Sequence, residues 1–136
     1  MKSFYAVRKL NEKNRIIIPD CIERNTKINF YHIYKDYLSL YSEEDFYEKL
    51  DYLYALKEKM MINGTDPTKI DRLLFKLETD ILGYSYVQTQ NRLVIPKNIV
   101  EAFKLNKIVL VGCKDHIKLF PNEESYYEFK EKVKLK

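Results

Sequence analysis

Glycine and cysteine are scarce in this chain. Only three of its 136 residues are glycine, so a glycine-rich phosphate loop or a dinucleotide-binding fingerprint has no residues from which to be built, and neither motif occurs. The two cysteines, Cys21 and Cys113, lie 92 positions apart without a CxxC or Cys-His spacing. This usage predicts a reduced, intracellular protein without a disulfide framework.

Long hydrophobic runs are also missing, so the sequence predicts no membrane-spanning segment. The opening residues Met-Lys-Ser-Phe-Tyr contain no apolar run, and we expect no signal peptide and a cytoplasmic protein. Hydrophobic residues make up 46% of the chain, which is enough for a folded core. The net charge of +4 excludes a polybasic tail but allows a local basic patch.

An internal duplication is present. Residues 11–19 read Asn-Glu-Lys-Asn-Arg-Ile-Ile-Ile-Pro, and residues 88–96 read Gln-Thr-Gln-Asn-Arg-Leu-Val-Ile-Pro, 77 positions later. A second pair of blocks, 36–41 and 115–120, follows at an offset of 79. Because two matched blocks occur in the same order at nearly the same offset, we interpret the halves as repeats of one unit.

The repeats predict the fold class, which is mainly β with peripheral helices (α+β). We predict a single domain over residues 1–136, with repeat one at 3–50, a helical connection at 43–78 and repeat two at 80–134. Each repeat should form two strands joined by a polar turn, then a short helix (beginning at Pro19 in the first half), a hairpin and a final helix. Since neither repeat can close a sheet alone, we expect a pseudo-two-fold β-barrel.

Local signals position the elements of this scheme. The first hairpin is expected at 28–34 and 37–41, and the second at 108–111 and 116–120. Further signals mark two helices in the connection. The first should begin at Ser42 and end at Asn63-Gly64, and the second should begin at Asp66-Pro67.

The ionisable residues form no catalytic pattern. His32 and His116 fall in predicted strands or at a hairpin edge, without a serine, cysteine or carboxylate motif beside them, and we interpret both as structural. The acidic groups at 43–45 and 123–124 lie where helix N-termini favour negative charge. We therefore predict no enzyme, no cofactor and no metal site.

The two polar turns are the most informative feature for function. Asn14 and Asn91 precede Arg15 and Arg92, and asparagine tolerates positive φ better than other non-glycine residues, so we predict a left-handed backbone at both asparagines. Arginine suits phosphate oxygens and the acceptor edge of guanine. Two interpretations remain open: the arginines project towards DNA, or they pair with carboxylates that close the barrel.

Tyrosine is abundant, with 12 residues. Several tyrosines alternate with strand spacing and others lie on a predicted helix. We interpret most of them as core or subunit-interface residues rather than as a stacking platform for single-stranded nucleic acid.

In its double motif the chain resembles the MraZ family of bacterial transcriptional regulators, which belongs to the AbrB-like, swapped-hairpin group. That family carries two copies of Asp-x-x-Gly-Arg followed by apolar residues and proline. The copies here are 11–15 and 88–92, and the resemblance extends to 72–75, 108–112 and 118–120. Asn11 and Gln88 replace the motif aspartates, and asparagine replaces both glycines.

The resemblance implies a double-psi-like β-barrel made of two tandem AbrB-like repeats. It implies a non-enzymatic, nucleoid-associated repressor of the division and cell wall gene cluster that binds tandem direct repeats in double-stranded promoter DNA. It also implies a homo-oligomeric ring of about eight subunits, whose head-to-tail neighbours suit direct repeats. Two alternatives are an antitoxin-like AbrB-type module whose main partner is a protein, and a small enzyme on a similar barrel.

Basic residues concentrate at the first turn. Residues 8–15 contain four basic residues and one acidic residue, which gives this segment a net charge of +3. We predict Arg15 and Arg92 as the principal DNA contacts, and the other basic residues as phosphate contacts. The complete set of candidate DNA-binding residues is Arg8, Lys9, Lys13, Asn14, Arg15, Asn91 and Arg92.

Overall fold

The computed structural model describes residues 3–19 and 22–134, which form an α+β fold. This confirms the predicted fold class. The strands are β1 (Phe4–Lys9), β2 (Arg15–Ile17), β3 (Lys27–Tyr34), β4 (Tyr37–Ser42), β5 (Ile81–Tyr86), β6 (Arg92–Val94), β7 (Lys107–Gly112) and β8 (Ile117–Phe120). The helices are α1 (Glu43–Ile62), α2 (Thr68–Thr79), α3 (Lys97–Phe103) and α4 (Glu123–Lys134).

The helices of the connection begin and end where the local signals predict. The Ser42 hydroxyl accepts a hydrogen bond from the Asp45 N–H (3.1 Å) and caps the start of α1. The chain leaves α1 through Gly64, which takes a positive φ of 73°. A carboxylate oxygen of Asp66 then accepts a hydrogen bond from the Thr68 N–H (3.1 Å) as α2 begins.

One antiparallel sheet contains six strands in the order β1-β7-β8-β4-β3-β5. The two predicted hairpins, β3–β4 and β7–β8, form its centre. Each hairpin is flanked by the first strand of the other repeat, because β1 pairs with β7 and β5 pairs with β3. The hydrogen-bonded sheet is not closed; β1 and β5 are its edges, and β2 and β6 pair separately.

Equivalent residues of the two repeats pair with each other around a pseudo-two-fold axis. In the β2–β6 ladder, Ile16 lies opposite Leu93, its equivalent 77 positions later. In the β4–β8 ladder, Ser39 lies opposite Lys118, its equivalent at the offset of 79. The axis therefore passes through both pairs and relates the two halves of the molecule.

A short helix follows Pro96 in the second repeat, and part of its predicted counterpart in the first repeat lies outside the described residues. In the second repeat, α3 begins directly after Pro96, as predicted. In the first repeat, residues 22–25 form a bend and a turn, and Asp20 and Cys21 lie outside the described residues. None of residues 22–25 is helical, so the predicted helix is not found in this described part.

The main core lies between one face of the six-stranded sheet and the β2–β6 pair. It contains the inward residues of both hairpins together with Ile16, Leu93 and Ile99 of α3. The opposite face of the sheet packs against α1 and α2 at one end and against α4 at the other. Within the described ranges, none of the helices has both the length and the apolar character needed to cross a bilayer.

We expect Leu93→Ala to lower the free energy of unfolding by about 2–5 kcal/mol, because it leaves a cavity at a fully buried position. Urea denaturation followed by circular dichroism measures this change. Val133→Ala is the control, since Val133 is 53% exposed near the end of α4 and should change stability by less than about 0.5 kcal/mol. Equal effects of the two substitutions would contradict this account of the core.

Candidate nucleic-acid interface

The two motif arginines lie on one small antiparallel ribbon, formed by β2 and β6. Alternate residues of a strand point to opposite faces. Ile16 and Leu93 are buried in the core, so Arg15 and Arg92, their neighbours, lie on the outer face of the ribbon. The pairing of the repeats therefore brings two arginines that are 77 positions apart in sequence onto one surface.

The turns before the arginines have the predicted left-handed backbone. Asn14 has a φ of 58° and Asn91 a φ of 57°. Each turn is also held by the other repeat: the Ile95 N–H donates to the Asn14 carbonyl (2.8 Å), and the Ile18 N–H donates to the Asn91 carbonyl (2.9 Å). These reciprocal bonds fix the position at which each arginine leaves the backbone.

The two turns differ in how they are stabilised. In the first, the Asn11 side-chain oxygen accepts hydrogen bonds from the backbone N–H groups of Lys13 (3.0 Å) and Arg15 (2.9 Å), which is an Asx turn. In the second, Gln88 makes no such capping bond, and the chain forms a short 3₁₀ turn in which Gln90 also takes a positive φ of 60°. The Asn11 side chain thus caps the first turn, and Gln88, its counterpart, provides no such cap in the second.

A cleft of about 450 Å³ opens beside the ribbon and β1. Four basic side chains and no acidic side chain line it. Two of the predicted residues, Lys13 and Asn14, belong to the adjoining turn, and Asn91 immediately precedes Arg92. The lining residues of this basic cleft are Arg8, Lys9, Asn11, Arg15, Ile16, Ile17 and Arg92.

The arginines of the ribbon have no acidic partner within residues 3–19 and 22–134. Neither Arg15 nor Arg92 forms an ion pair with a carboxylate of these described residues. The Nε of Arg15 is buried and lacks a hydrogen-bond partner. Such a donor costs about 1–3 kcal/mol, and unsatisfied groups of this kind often mark functional sites.

Arg8 has a structural contact that the sequence did not reveal. Its Nε donates to the Ile17 carbonyl (2.8 Å) and its Nη1 to the Val7 carbonyl (3.1 Å). The first of these bonds joins β1 to β2 of the ribbon. A guanidinium has five N–H donors, so the group retains donors for a ligand while it positions one wall of the cleft.

The pseudo-equivalent surface of the second repeat has different chemistry. Ser85 and Tyr86 occupy the positions that correspond to Arg8 and Lys9 of the first repeat. A cleft of about 470 Å³ there contains a single basic residue, Arg24. Sequence reasoning missed Arg24 because it belongs to no motif. The concentration of positive charge is therefore confined to the first surface.

The comparisons with known proteins add no relative of this chain. No model of a known protein family matches it, and a search of curated proteins finds no match. Among the residues that the structure describes, no group of three or more histidine, cysteine or acidic side chains is placed to hold a metal ion. The functional inference therefore depends on the chemistry of the basic cleft.

We expect Asn14→Gly to be at least as stable as the natural protein and Asn14→Ala to be less stable than Asn14→Gly by about 1–2 kcal/mol, because only glycine adopts positive φ without cost. Thermal and urea unfolding of the two variants measure the difference. A glycine variant less stable than the alanine variant would contradict a left-handed requirement at this turn.

Proposed function

We propose that this chain is a non-enzymatic, sequence-specific DNA-binding regulator of the MraZ type. The observation that carries the proposal is the placement of Arg15 and Arg92, neither in an ion pair with a described residue, on the outer face of one ribbon beside Arg8 and Lys9. Guanidinium forks match both phosphate oxygens and the guanine edge. Double-stranded DNA presents both kinds of acceptor on one ligand.

Electrostatics favour a polyanionic ligand. The four cations that line the basic cleft repel one another, and the cleft has no carboxylate to compensate them. A phosphate backbone relieves this repulsion and releases its own counterions on binding. Positive charge at this one place therefore supports DNA binding even though the net charge of the chain is only +4.

The shape of the ribbon suits base recognition. The major groove of B-DNA admits a two-stranded β-ribbon, and some regulators read bases in this way. In the proposed complex Arg15 and Arg92 reach base edges from the outer face, with Asn14 and Asn91 holding their turns. Lys13, exposed in the first turn, joins Arg8 and Lys9 as a phosphate contact.

The wider architecture and biological context belong to the same proposal. The reciprocal pairing of β2 with β6 and of β4 with β8 supports a barrel-like, pseudo-two-fold core of the AbrB type, in which the separate ribbon covers one face of the sheet. The regulated promoter is that of the division and cell wall gene cluster, repressed through tandem direct repeats, and the protein acts on the nucleoid.

Assembly into a homo-oligomeric ring is also proposed. Several large apolar side chains of α1 and α2 are exposed, an arrangement that often marks a protein interface. Head-to-tail contacts through such a surface generate rings when the rotation closes. These exposed side chains are Tyr47, Tyr52, Tyr54, Met61, Ile62 and Phe75.

We expect Arg15→Ala to weaken binding to the promoter DNA upstream of the protein's own operon by about 1–3 kcal/mol, because it removes a base contact. A gel-shift titration measures this loss. Arg72→Ala is the matched control, since Arg72 is an exposed arginine of α2, away from the basic cleft, and it should leave affinity unchanged.

The same titration on a random duplex separates base contacts from phosphate contacts. Arg15→Ala should reduce the preference for promoter DNA over the random duplex. Lys9→Ala should weaken binding to both duplexes and should reduce the slope of log affinity against log salt concentration by about 1. Unchanged affinity in a folded Arg15→Ala protein would overturn the role of Arg15. Absence of DNA binding at every salt concentration would favour the antitoxin-like alternative.

In solution we expect a mass several times that of the 16.4 kDa chain, measured by light scattering during size-exclusion chromatography. Ile62→Glu should lower that mass, because Ile62 is 78% exposed in the apolar set on α1 and a charge there disfavours burial. Glu58→Gln, a nearby change that buries no charge, serves as the control. A single-chain mass at all concentrations would contradict the ring.

A further inference from the structure

A chain of four reactive side chains lies at the turn between β7 and β8. The Lys118 Nζ is 3.4 Å from the Cys113 Sγ and 2.8 Å from the His116 Nε2. The His116 Nδ1 is in turn 2.6 Å from an Asp115 carboxylate oxygen. The turn is closed by a hydrogen bond from the Cys113 N–H to the His116 carbonyl (2.8 Å), which holds the thiol beside the amine.

This chain of side chains, Cys113, Lys118, His116 and Asp115, is called the Cys113 relay, and it is separate from the basic cleft. Ile117 and Leu119 of β8 point into the core that the ribbon covers, so His116 and Lys118 lie on the opposite face of the sheet. Tyr41 stacks on the His116 ring at 5.4 Å, and the Lys118 Nζ lies 4.9 Å from the centre of the Tyr37 ring. These contacts restrict the orientation of both side chains.

The hydrogen-bond pattern places an imidazole acceptor against the Lys118 amine. Burial, and to a lesser extent the charge of Lys118, lower the pKa of His116. Burial works to raise the pKa of Asp115, but hydrogen bonds from His116 and Lys49 hold it below its usual value. A carboxylate that accepts from Nδ1 leaves the Nε2 lone pair facing the Lys118 ammonium. The imidazole is therefore an acceptor in direct contact with the amine.

We propose that Cys113 and Lys118 are a peroxide-responsive modification site, at which oxidation of the thiol leads to a covalent sulfur–nitrogen crosslink. The partly exposed thiol admits a small oxidant, and the Lys118 amine lies 3.4 Å from the sulfur that this oxidant would modify. The proposal does not depend on DNA binding.

The reaction has two steps. The Cys113 thiolate attacks a peroxide oxygen, the O–O bond breaks, and a sulfenic acid forms as hydroxide leaves and takes up a proton. The Lys118 amine, in its unprotonated form and held by its hydrogen bond to the His116 Nε2, then attacks the sulfur. The S–N bond forms as the S–O bond breaks, and the departing hydroxide leaves as water with an amine proton. Overall, the thiol loses two electrons and one peroxide is reduced to two waters.

Peptide mapping by mass spectrometry tests the site. The full chain carrying Cys21→Ser, which removes the other thiol, is treated with hydrogen peroxide and digested with an acid-active protease that does not depend on lysine. We expect a Cys113–Lys118 crosslink that has lost two hydrogens and that is reversed by a thiol reductant. Lys114→Arg, which changes the other lysine of the same turn, should form the same crosslink.

Lys118→Arg keeps the positive charge but removes the nucleophilic amine. We expect no crosslink in this variant, together with a several-fold increase in trapping of the Cys113 sulfenic acid by dimedone, because its resolving partner is lost. Equal dimedone trapping in Lys118→Arg and in the protein that keeps Lys118 would overturn the role of Lys118. A crosslink that retains oxygen, or one made to Lys114, would overturn the proposed linkage, and a Cys113 inert to peroxide would overturn the site.

Discussion

The pairing of the two repeats across the pseudo-two-fold axis is the interaction on which the rest of the structure depends. β2 and β6 contain three residues each, too few for an independent two-stranded unit in water. They persist because Ile16 and Leu93 are buried in a core shared by both hairpins, and because each turn carbonyl accepts a hydrogen bond from the other repeat. Neither arginine turn has a defined position without its partner repeat.

The exchange of first strands reinforces this dependence. β1 completes the hairpin of the second repeat, and β5 completes that of the first. Detaching β1 or β5 would leave backbone N–H and C=O groups of the other half without hydrogen-bond partners, and this costs free energy. The fold therefore couples the two halves through main-chain bonds as well as through apolar burial, and the basic cleft is a product of the assembled chain.

Local features of this fold could be predicted from sequence, and long-range ones could not. The Ser42 cap and the positive φ at Asn14 and Asn91 depend on residues a few positions away, so their signals are present in short segments. The pairing of β1 with β7 joins segments about one hundred positions apart in the chain, and no spacing within either strand specifies it.

The site divides in the same way. The motif arginines were found because they are duplicated, but the contact of Arg8 with the Ile17 carbonyl depends on how β1 meets the ribbon. The relay from Cys113 to Asp115 was missed for a related reason. His116 and Lys118 share a strand face two residues apart, and the turn brings the Cys113 thiol back to them; in the sequence alone the same residues form no recognised catalytic spacing.

Duplication followed by divergence explains why a symmetric framework carries an asymmetric site. The positions that pair across the axis, such as Ile16 with Leu93, must remain apolar because both fill one core. The outward positions have no such constraint, and there Arg8 and Lys9 correspond to Ser85 and Tyr86. Under the proposed function, contact with the second surface would add little to the affinity for DNA, because this affinity increases with the number of cations and the second surface has few. The asymmetry gives the proposed DNA-binding surface a direction, which a symmetric pair of identical clefts would lack. A surface with direction suits repeats arranged head to tail better than inverted ones.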